Sequence, residues 1–328
     1  MNKEPVKLIL GTMTFGESVF SPQVGEFINA FLDAGYEELD TAYVYNEGNC
    51  ERLLGEVLPG LERPYKIATK VNPRISGKLD ADAAYKQVGE SLERMRLPSV
   101  DTVFLHFPDP ATPVESVLSA MADLHDQGKF RELGLSNFPA WMVADVWHIC
   151  DRNGWVKPTV FEGIYNPLTR RAEAELNDCL NAFGMRFSAY NPLCGGLLTG
   201  RYAKYEDAPG DGRFTHRPNY MKRYWKESFF EGAAVIAEAA GKYGISMIEA
   251  TYRWMAYHSM LDAERGDAIL IGASKLNHLT GNMEAVKAGP LPEEVVAAFD
   301  KAWTIAKGSS PEYFTLYKGK GSVGGEKK

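Results

Sequence analysis

Leu39-Asp40-Thr41-Ala42-Tyr43-Val44-Tyr45-Asn46 is the stretch on which the reading of this chain turns. A short apolar strand, Glu38–Leu39 leading out of Gly35, runs into a carboxylate and a phenol, and a helical stretch starts near Asn49. Both groups are normally left to water or a partner. Two later strands end alike: Tyr65–Lys70 closes on an ammonium and Val100–His106 on an imidazole. The gaps, 30 residues from Asp40 to Lys70 and 36 from Lys70 to His106, each fit one strand-helix-strand unit of roughly 30 residues. If the strands are parallel neighbours, all four side chains meet at one sheet end, where α/β folds carry their chemistry.

Outward from that stretch, strands and helices alternate along the whole chain. Leu8–Leu10 leads into a glycine-bounded loop, and Ser21-Pro22 opens a helix with serine as cap and proline in the first turn. Val24, Phe27, Ile28, Phe31 and Leu32 give that helix one buried stripe. Further helices are expected near Cys50–Leu58 and Ala81–Arg96, and Thr112-Pro113-Val114-Glu115 reads as a capping box opening another. Then come strand Glu132–Leu135, helix Ala140–Cys150, strand Thr159–Gly163, helix Ala172–Phe183 and strand Met185–Tyr190. From Cys194 to Lys226 no period is sustained, which marks a lid or a disordered loop. A helix over Phe229–Gly241 and a second capping box, Ser246-Met247-Ile248-Glu249, precede strand Ala268–Ile271. Helices near Leu279–Ala288 and Glu293–Lys307 follow. Eight strands alternating with helices predict an α/β protein, a (β/α)8 TIM barrel with extra C-terminal helices and a long loop after strand seven. We expect one domain over 1–318 and a mobile Gly/Lys-rich tail over 319–328. No GxGxxG follows a strand, so the dinucleotide fingerprint of an open sheet is missing.

Composition narrows the partners. A net charge of −7 speaks against nucleic acid, whose binding depends on clustered Lys and Arg. Four scattered cysteines (Cys50, Cys150, Cys179, Cys194) form no CxxC, so neither a disulfide framework nor a metal site is indicated. The chain has no apolar run of about 18 residues, so membrane is not expected and the cytoplasm is the default.

Asp40, Tyr45, Lys70 and His106 together make a proton donor with an oxyanion site. A phenol with a reference pKa near ~10 needs a neighbouring ammonium to lower it, and an aspartate to fix that ammonium. A histidine can donate to the same oxygen. This is the equipment for reducing a carbonyl once hydride is supplied, and since no side chain supplies hydride, a nicotinamide cofactor is implied. The bland alternative is a structural Asp40–Lys70 ion pair beside satisfied polar core residues. Other strand ends suggest a cofactor's path. Ser136 and Asn137 offer a hydroxyl and an amide, Glu162 a carboxylate, and Tyr190 a ring face, although Asn137 could equally begin the next helix. Ser274-Lys275 precede a helix whose N-terminus can hold phosphate, and the lysine favours the 2′-phosphate of NADPH. Arg213 and Arg223 either clamp phosphate or substrate, or decorate a solvated lid.

Beyond the tetrad, the motifs Thr69-Lys70, Leu105-His106, Gly134-Leu135-Ser136-Asn137, Tyr165-Asn166 and Gly195-Gly196-Leu197-Leu198-Thr199-Gly200 resemble the aldo-keto reductase superfamily over nearly the full chain. Val44-Tyr45-Asn46-Glu47-Gly48, Pro108-Asp109, Arg223-Tyr224-Trp225-Lys226-Glu227 and Tyr313-Phe314 resemble its aflatoxin-aldehyde reductase branch. The resemblance implies NADPH and reduction of aldehydes, dialdehydes or reactive ketones to alcohols. It also implies Asp40, Tyr45, Lys70 and His106 as catalytic tetrad, with Tyr45 as proton donor. Ser136 and Asn137 should hold the carboxamide, Tyr190 stack on the nicotinamide, and Ser274, His278 and Asn282 surround the adenosine phosphate. Glu162, Asn191, Leu193, Gly195, Arg201, Arg213 and Lys275 complete the expected cofactor contacts, with Arg223 and Tyr313 toward substrate and a possible homodimer. Three positions depart from the pattern. Glu162 replaces a glutamine, Gly281 an acidic or amide residue, and Thr315 an arginine. The resemblance leaves two other roles open: a cofactor-binding regulatory subunit like the potassium-channel β subunits, or a reductase dedicated to one secondary metabolite.

Overall fold

A computed structural model describes residues 4–207, 209–210 and 212–319. Eight parallel strands close into a barrel in chain order. They are β1 Lys7–Gly11, β2 Glu38–Asp40, β3 Lys66–Val71, β4 Val100–Leu105, β5 Phe130–Ser136, β6 Pro158–Ile164, β7 Arg186–Tyr190 and β8 Ala268–Ile271. Closure is through β1, which pairs with both β2 and β8. The strands' period of two divides each between barrel interior and helix layer. Leu8 and Leu10 join the main core under the helices, whereas Ile9 between them packs with Ala268 and Leu270 in a small separate cluster against Tyr190. Each fully buried Leu or Ile contributes about 1.5–3 kcal/mol, so the large outer layer dominates stability. The inner face is therefore free to carry polar groups.

The helices follow the expected periodicity. Gln23–Asp33 buries all five residues of its predicted stripe. Ser246 caps the helix Met247–Tyr257 by accepting from Glu249 N at 3.2 Å. The other capping box does not form. Helix Val114–Asp126 starts after Pro113 with no side-chain cap, because Thr112 Oγ1 donates to Asp109 Oδ2 at 2.7 Å instead. A carboxylate is the better acceptor, and Asp109 also takes the amide of Leu79 at 2.9 Å. Ser21 is likewise no cap, since Pro22 holds that position at the head of the first helix. The expected helix over 172–183 is shorter: a 3-10 turn, Arg171–Glu173, precedes an α-helix of Leu176–Ala182.

The segment after β7 departs most from expectation. It carries a turn over Cys194–Thr199 and two short helices, Arg213–His216 and Pro218–Tyr224. Helices of four and seven residues do not complete enough turns for a sequence period, which hid them. Tyr202, Phe214, Trp225 and Phe230 pack edge-on with centroids 4.9–5.5 Å apart, giving the segment its own apolar anchor. Arg217 then fastens it across the barrel mouth to Glu17, with bonds of 2.8 and 3.1 Å. Residues 320–328, most of the tail expected to be mobile, lie outside the described residues. No described helix is long and apolar enough to cross a membrane.

Candidate active site

Strand register brings the singled-out side chains to one level at the C-terminal mouth. Asp40 is in register with Ala68, Lys70 with Phe104 and Ser136 with Glu162. Phe104 turns inward opposite Gly134, where an added Cβ would sit 2.3 Å from the Phe104 ring, so only glycine fits. The ring therefore lies 5.4 Å from Lys70 Nζ and walls it off from water. Tyr45, Ser136 and Tyr190 are each followed by an asparagine with positive φ: Asn46 at 50°, Asn137 at 63° and Asn191 at 60°. Asparagine tolerates this conformation, which turns the chain sharply after each functional side chain.

Lys70 is 1% exposed and is held by three acceptors. It donates to Asp40 Oδ2 and to Thr41 O at 2.9 Å, and its nitrogen lies 3.2 Å from Glu162 Oε2. Burial alone would lower its pKa, but the charges of Asp40 and then Glu162 outweigh burial and keep it protonated. Burial, then Asp40's charge, drives the Glu162 carboxyl well above the usual range, and Lys70 offsets this only in part. The Tyr45 ring centre lies 5.5 Å from Lys70 Nζ, so the two groups share one compartment. The direction of the Tyr45 shift reverses the sequence-based expectation. Burial above all, and then the charges of Asp40 and Glu162, raise its pKa well above 10.0. Tyr45 is thus a fully protonated phenol.

His106 completes the corner, with its ring centre 6.3 Å from that of Tyr45 at 81°. Burial, then the charges of Lys70 and Arg74, push its pKa well below 6.5, so the ring is neutral. Its tautomer follows from a neighbour the sequence reading passed over. Asn72 Oδ1 accepts from Arg74 N at 2.9 Å, which leaves Asn72 Nδ2 to face His106 Nδ1 at 3.1 Å. Nδ1 therefore accepts, and the ring proton sits on Nε2. Gln87 fixes Asn72 in turn through both its backbone groups, at 2.8 and 3.1 Å.

A cavity of about 2700 Å³ opens above these groups. Typical small-molecule pockets are roughly 300–1000 Å³, so there is room for an extended dinucleotide and a second substrate. Tyr45 and His106 line it, and so do Ser136, Asn137, Glu162, Tyr190, Asn191, Leu193 and Gly195. Arg201, Arg213, Arg223, Ser274, Lys275, His278 and Asn282 complete the predicted set at its wall. Tyr313 does not belong there. It is 4% exposed, its hydroxyl accepting from Ala140 N at 2.9 Å and donating to Glu175, so it secures a helix start behind the wall. Arg217 and Tyr220 also line the cavity and were missed, since nothing local marks residues in a segment without a period.

The wall suits a nucleotide cofactor. The helix Leu276–Lys287 has Lys275 in the cap position with no side-chain cap, so its N-terminal amides lack a side-chain acceptor. Ser274, Lys275 and His278 surround that end. The buried amide nitrogen of Asn191 has no hydrogen-bond partner among the described residues, although its oxygen accepts from Tyr220 Oη at 3.2 Å. Tyr190 Oη donates to Asn137 Oδ1 at 2.7 Å, which fixes the ring. Asn137 Nδ2 is committed to His106 O and Ser136 Oγ, both at 2.9 Å, so Asn137 organises the wall as much as it faces the cavity.

Known proteins are similar to this chain in sequence. The family model described as the aldo/keto reductase family matches residues 7–304. Human aldo-keto reductase family 7 member A3 is 46% identical over 319 residues, covering 93% of this chain and 96% of the relative. Mouse aflatoxin B1 aldehyde reductase member 2 is 46% identical, covering 93% and 87%. Aldo-keto reductase pigE of Monascus ruber is 32% identical, covering 89% and 90%. With that match running through all eight strands, the chain is an oxidoreductase of the aldo/keto reductase family and falls with the aflatoxin-aldehyde reductases.

Proposed function

We propose that this protein reduces aldehydes, dialdehydes or reactive ketones to alcohols with NADPH, and that Tyr45 delivers the proton. One observation carries the reading: Tyr45 and His106 line the cavity together with ring centres 6.3 Å apart, and the Tyr45 ring centre lies 5.5 Å from the buried Lys70 Nζ. NADPH, when bound, supplies hydride to the carbonyl carbon. His106 Nε2–H and the Tyr45 hydroxyl donate to the carbonyl oxygen and orient it. As negative charge grows there, Tyr45 gives up its proton and Lys70 stabilises the phenolate beside it. Asp40 holds Lys70 in place.

Tyr190, Ser136, Asn137 and Glu162 would hold the nicotinamide end, with Asn191, Leu193 and Gly195 along the middle. Ser274, Lys275, His278 and Asn282, aided by Arg201 and Arg213, would hold the phosphates. Arg223 supports a substrate preference. It lines the cavity among Tyr190, Tyr220 and Tyr224, yet none of the ion pairs among the described residues gives it a carboxylate partner. Aldehydes that carry an acidic group suit it. The mouse relative is named for aldehyde reduction, which favours aldehydes over other carbonyls.

The test is steady-state NADPH oxidation against a panel of aldehydes and quinones, together with the Tyr45→Phe variant. Turnover should fall by about 10²–10⁴-fold in Tyr45→Phe while NADPH still quenches protein fluorescence. Unchanged turnover removes Tyr45 from the mechanism. Tight NADPH retention with negligible turnover on every carbonyl, and a stable partner complex, would favour a regulatory subunit instead. NADPH should bind at least ~10-fold more tightly than NADH, as expected where a lysine meets the 2′-phosphate. Equal affinities in titration would remove Lys275 and the cofactor choice together.

A further inference from the structure

Two carboxylates share one lysine below Tyr45, an arrangement that leaves a charge unaccounted for. Asp40, Lys70 and Glu162 come from β2, β3 and β6, and their side chains are 4%, 0% and 5% exposed. Lys70 spends one N–H on Thr41 O, so each carboxylate receives a single N–H from it at most. Among the described residues, the other groups packed directly against the trio are uncharged. Ser136 and Ser188 flank Glu162 in register on β5 and β7, and Phe104 covers Lys70 from β4. His106 is neutral, and Tyr45 and Tyr190 are protonated. Arg223 acts on Tyr190, Arg74 acts on Tyr190 and His106 rather than on the trio itself, and Arg186, below, is engaged by Glu132. With both acids ionised, the interior would hold an uncompensated negative charge, which a low-dielectric site disfavours strongly.

We propose that Glu162 works as a neutral carboxylic acid holding a proton between itself and Asp40, and that loss of this proton shuts down carbonyl reduction on the alkaline side. The trio is then neutral at working pH: one carboxylate, one ammonium, one carboxylic acid. Reduction breaks the Tyr45 O–H bond and forms the alcohol O–H bond, leaving a phenolate that water later reprotonates. That phenolate is tolerable above a neutral trio. Above a trio of charge −1 it places a second negative charge in the same compartment, and proton transfer becomes unfavourable. The proton can also exchange while the main cavity is filled. Asp40 and Glu162 line both that cavity and a second one of about 450 Å³, which opens toward the N-terminal mouth past Thr102 and Ser188. The kinetic half of this inference rests on Tyr45 as donor, whereas the proton itself does not.

Two measurements on the full-length protein test it. In infrared difference spectra titrated between about pH 6 and 10, the wild type should show a protonated-carboxyl C=O band that disappears as pH rises, and Glu162→Gln should lack it. In the pH profile of kcat with an uncharged aldehyde, the wild type should lose about 10-fold per pH unit above its alkaline limb. Glu162→Gln, which cannot ionise, should lose less than about twofold from its own optimum over the same range. Absence of the band in neutral wild-type protein, or an alkaline limb at the same pH in both proteins, overturns the inference. The wild-type spectrum decides the first half even if the variant fails to fold. A wild type with the band but no activity toward any carbonyl would overturn the proposed function and leave the shared proton standing.

Discussion

The two mouths of the barrel use the same side-chain types in opposite ways. At the N-terminal mouth, acids and bases are matched one to one. Arg186 forks onto Glu132, Arg265 onto Asp267, and Lys7 lies 3.6 Å from Glu38. Asp267 also accepts from the amides of Phe187 at 2.7 Å and Asp262 at 2.8 Å, tying the starts of β7 and β8. At the C-terminal mouth the matching fails: two acids meet one lysine, and a phenol and an imidazole stand over them. Matched charges fasten strands together, whereas mismatched buried charges displace protonation equilibria, which is what acid–base chemistry needs.

Substitutions can break this contrast, and Lys70→Met should have the largest effect. Removing the cation between Asp40 and Glu162 leaves the buried Asp40 carboxylate without its ion pair, and a loss of about 3–5 kcal/mol should appear in denaturant unfolding together with loss of turnover. Next is Asp267→Ala at the opposite mouth. It strands two amides and Arg265, so a loss of about 2–3 kcal/mol is expected with kcat/KM within about twofold of the wild type. If that substitution alters chemistry as much as stability, the division between the two mouths is wrong.

Asn72→Leu sharpens the upper half. Without its donor to Nδ1, His106 loses the bias toward the Nε2–H tautomer, and kcat should fall by about 10-fold with NADPH affinity unchanged. An equal loss of cofactor binding would make Asn72 a wall residue rather than a positioning one. The smallest effect is Arg186→Gln, about 1 kcal/mol or less, because that pair is partly open to solvent. Its pH dependence has a definite sign. The Arg186 hydrogen bond, against the opposing effect of burial, depresses the Glu132 pKa in the folded state. The contribution is therefore fully present above the unfolded value near ~4.3 and fades as pH falls through the folded one. The Tm gap between wild type and variant should close in acid, and a gap that widens there would refute the pairing.

How much of the site could be read from sequence depends on where each residue sits. Asp40, Lys70 and His106 were legible because each lies at or just past a strand end, a position fixed by local pattern. Asn72 lies only two residues beyond Lys70 and ahead of a proline, so the same rule applied to Asn72-Pro73 would have found it. Arg217 meets Glu17 across 200 residues, and Tyr220 meets Asn191 across 29 from inside a seven-residue helix. No local signal marks either. Tyr313 was misplaced for the converse reason. The resemblance carried by Tyr313-Phe314 put it toward substrate, but its hydroxyl found Ala140 N and Glu175 behind the wall.

By itself the sequence determined the barrel, its eight strand-helix units and the family, because periodicity and strand-end chemistry are local and survive in one dimension. The directions in which the buried groups' pKa values move came from the fold, since they depend on burial and on distances between strands far apart in the chain. The fold buried Tyr45 beside Asp40 and Glu162, and burial first and those charges second turned the expected acidified phenol into a protonated one. Charge acts through space and across all elements at once, and no reading of neighbours along the chain could have balanced it.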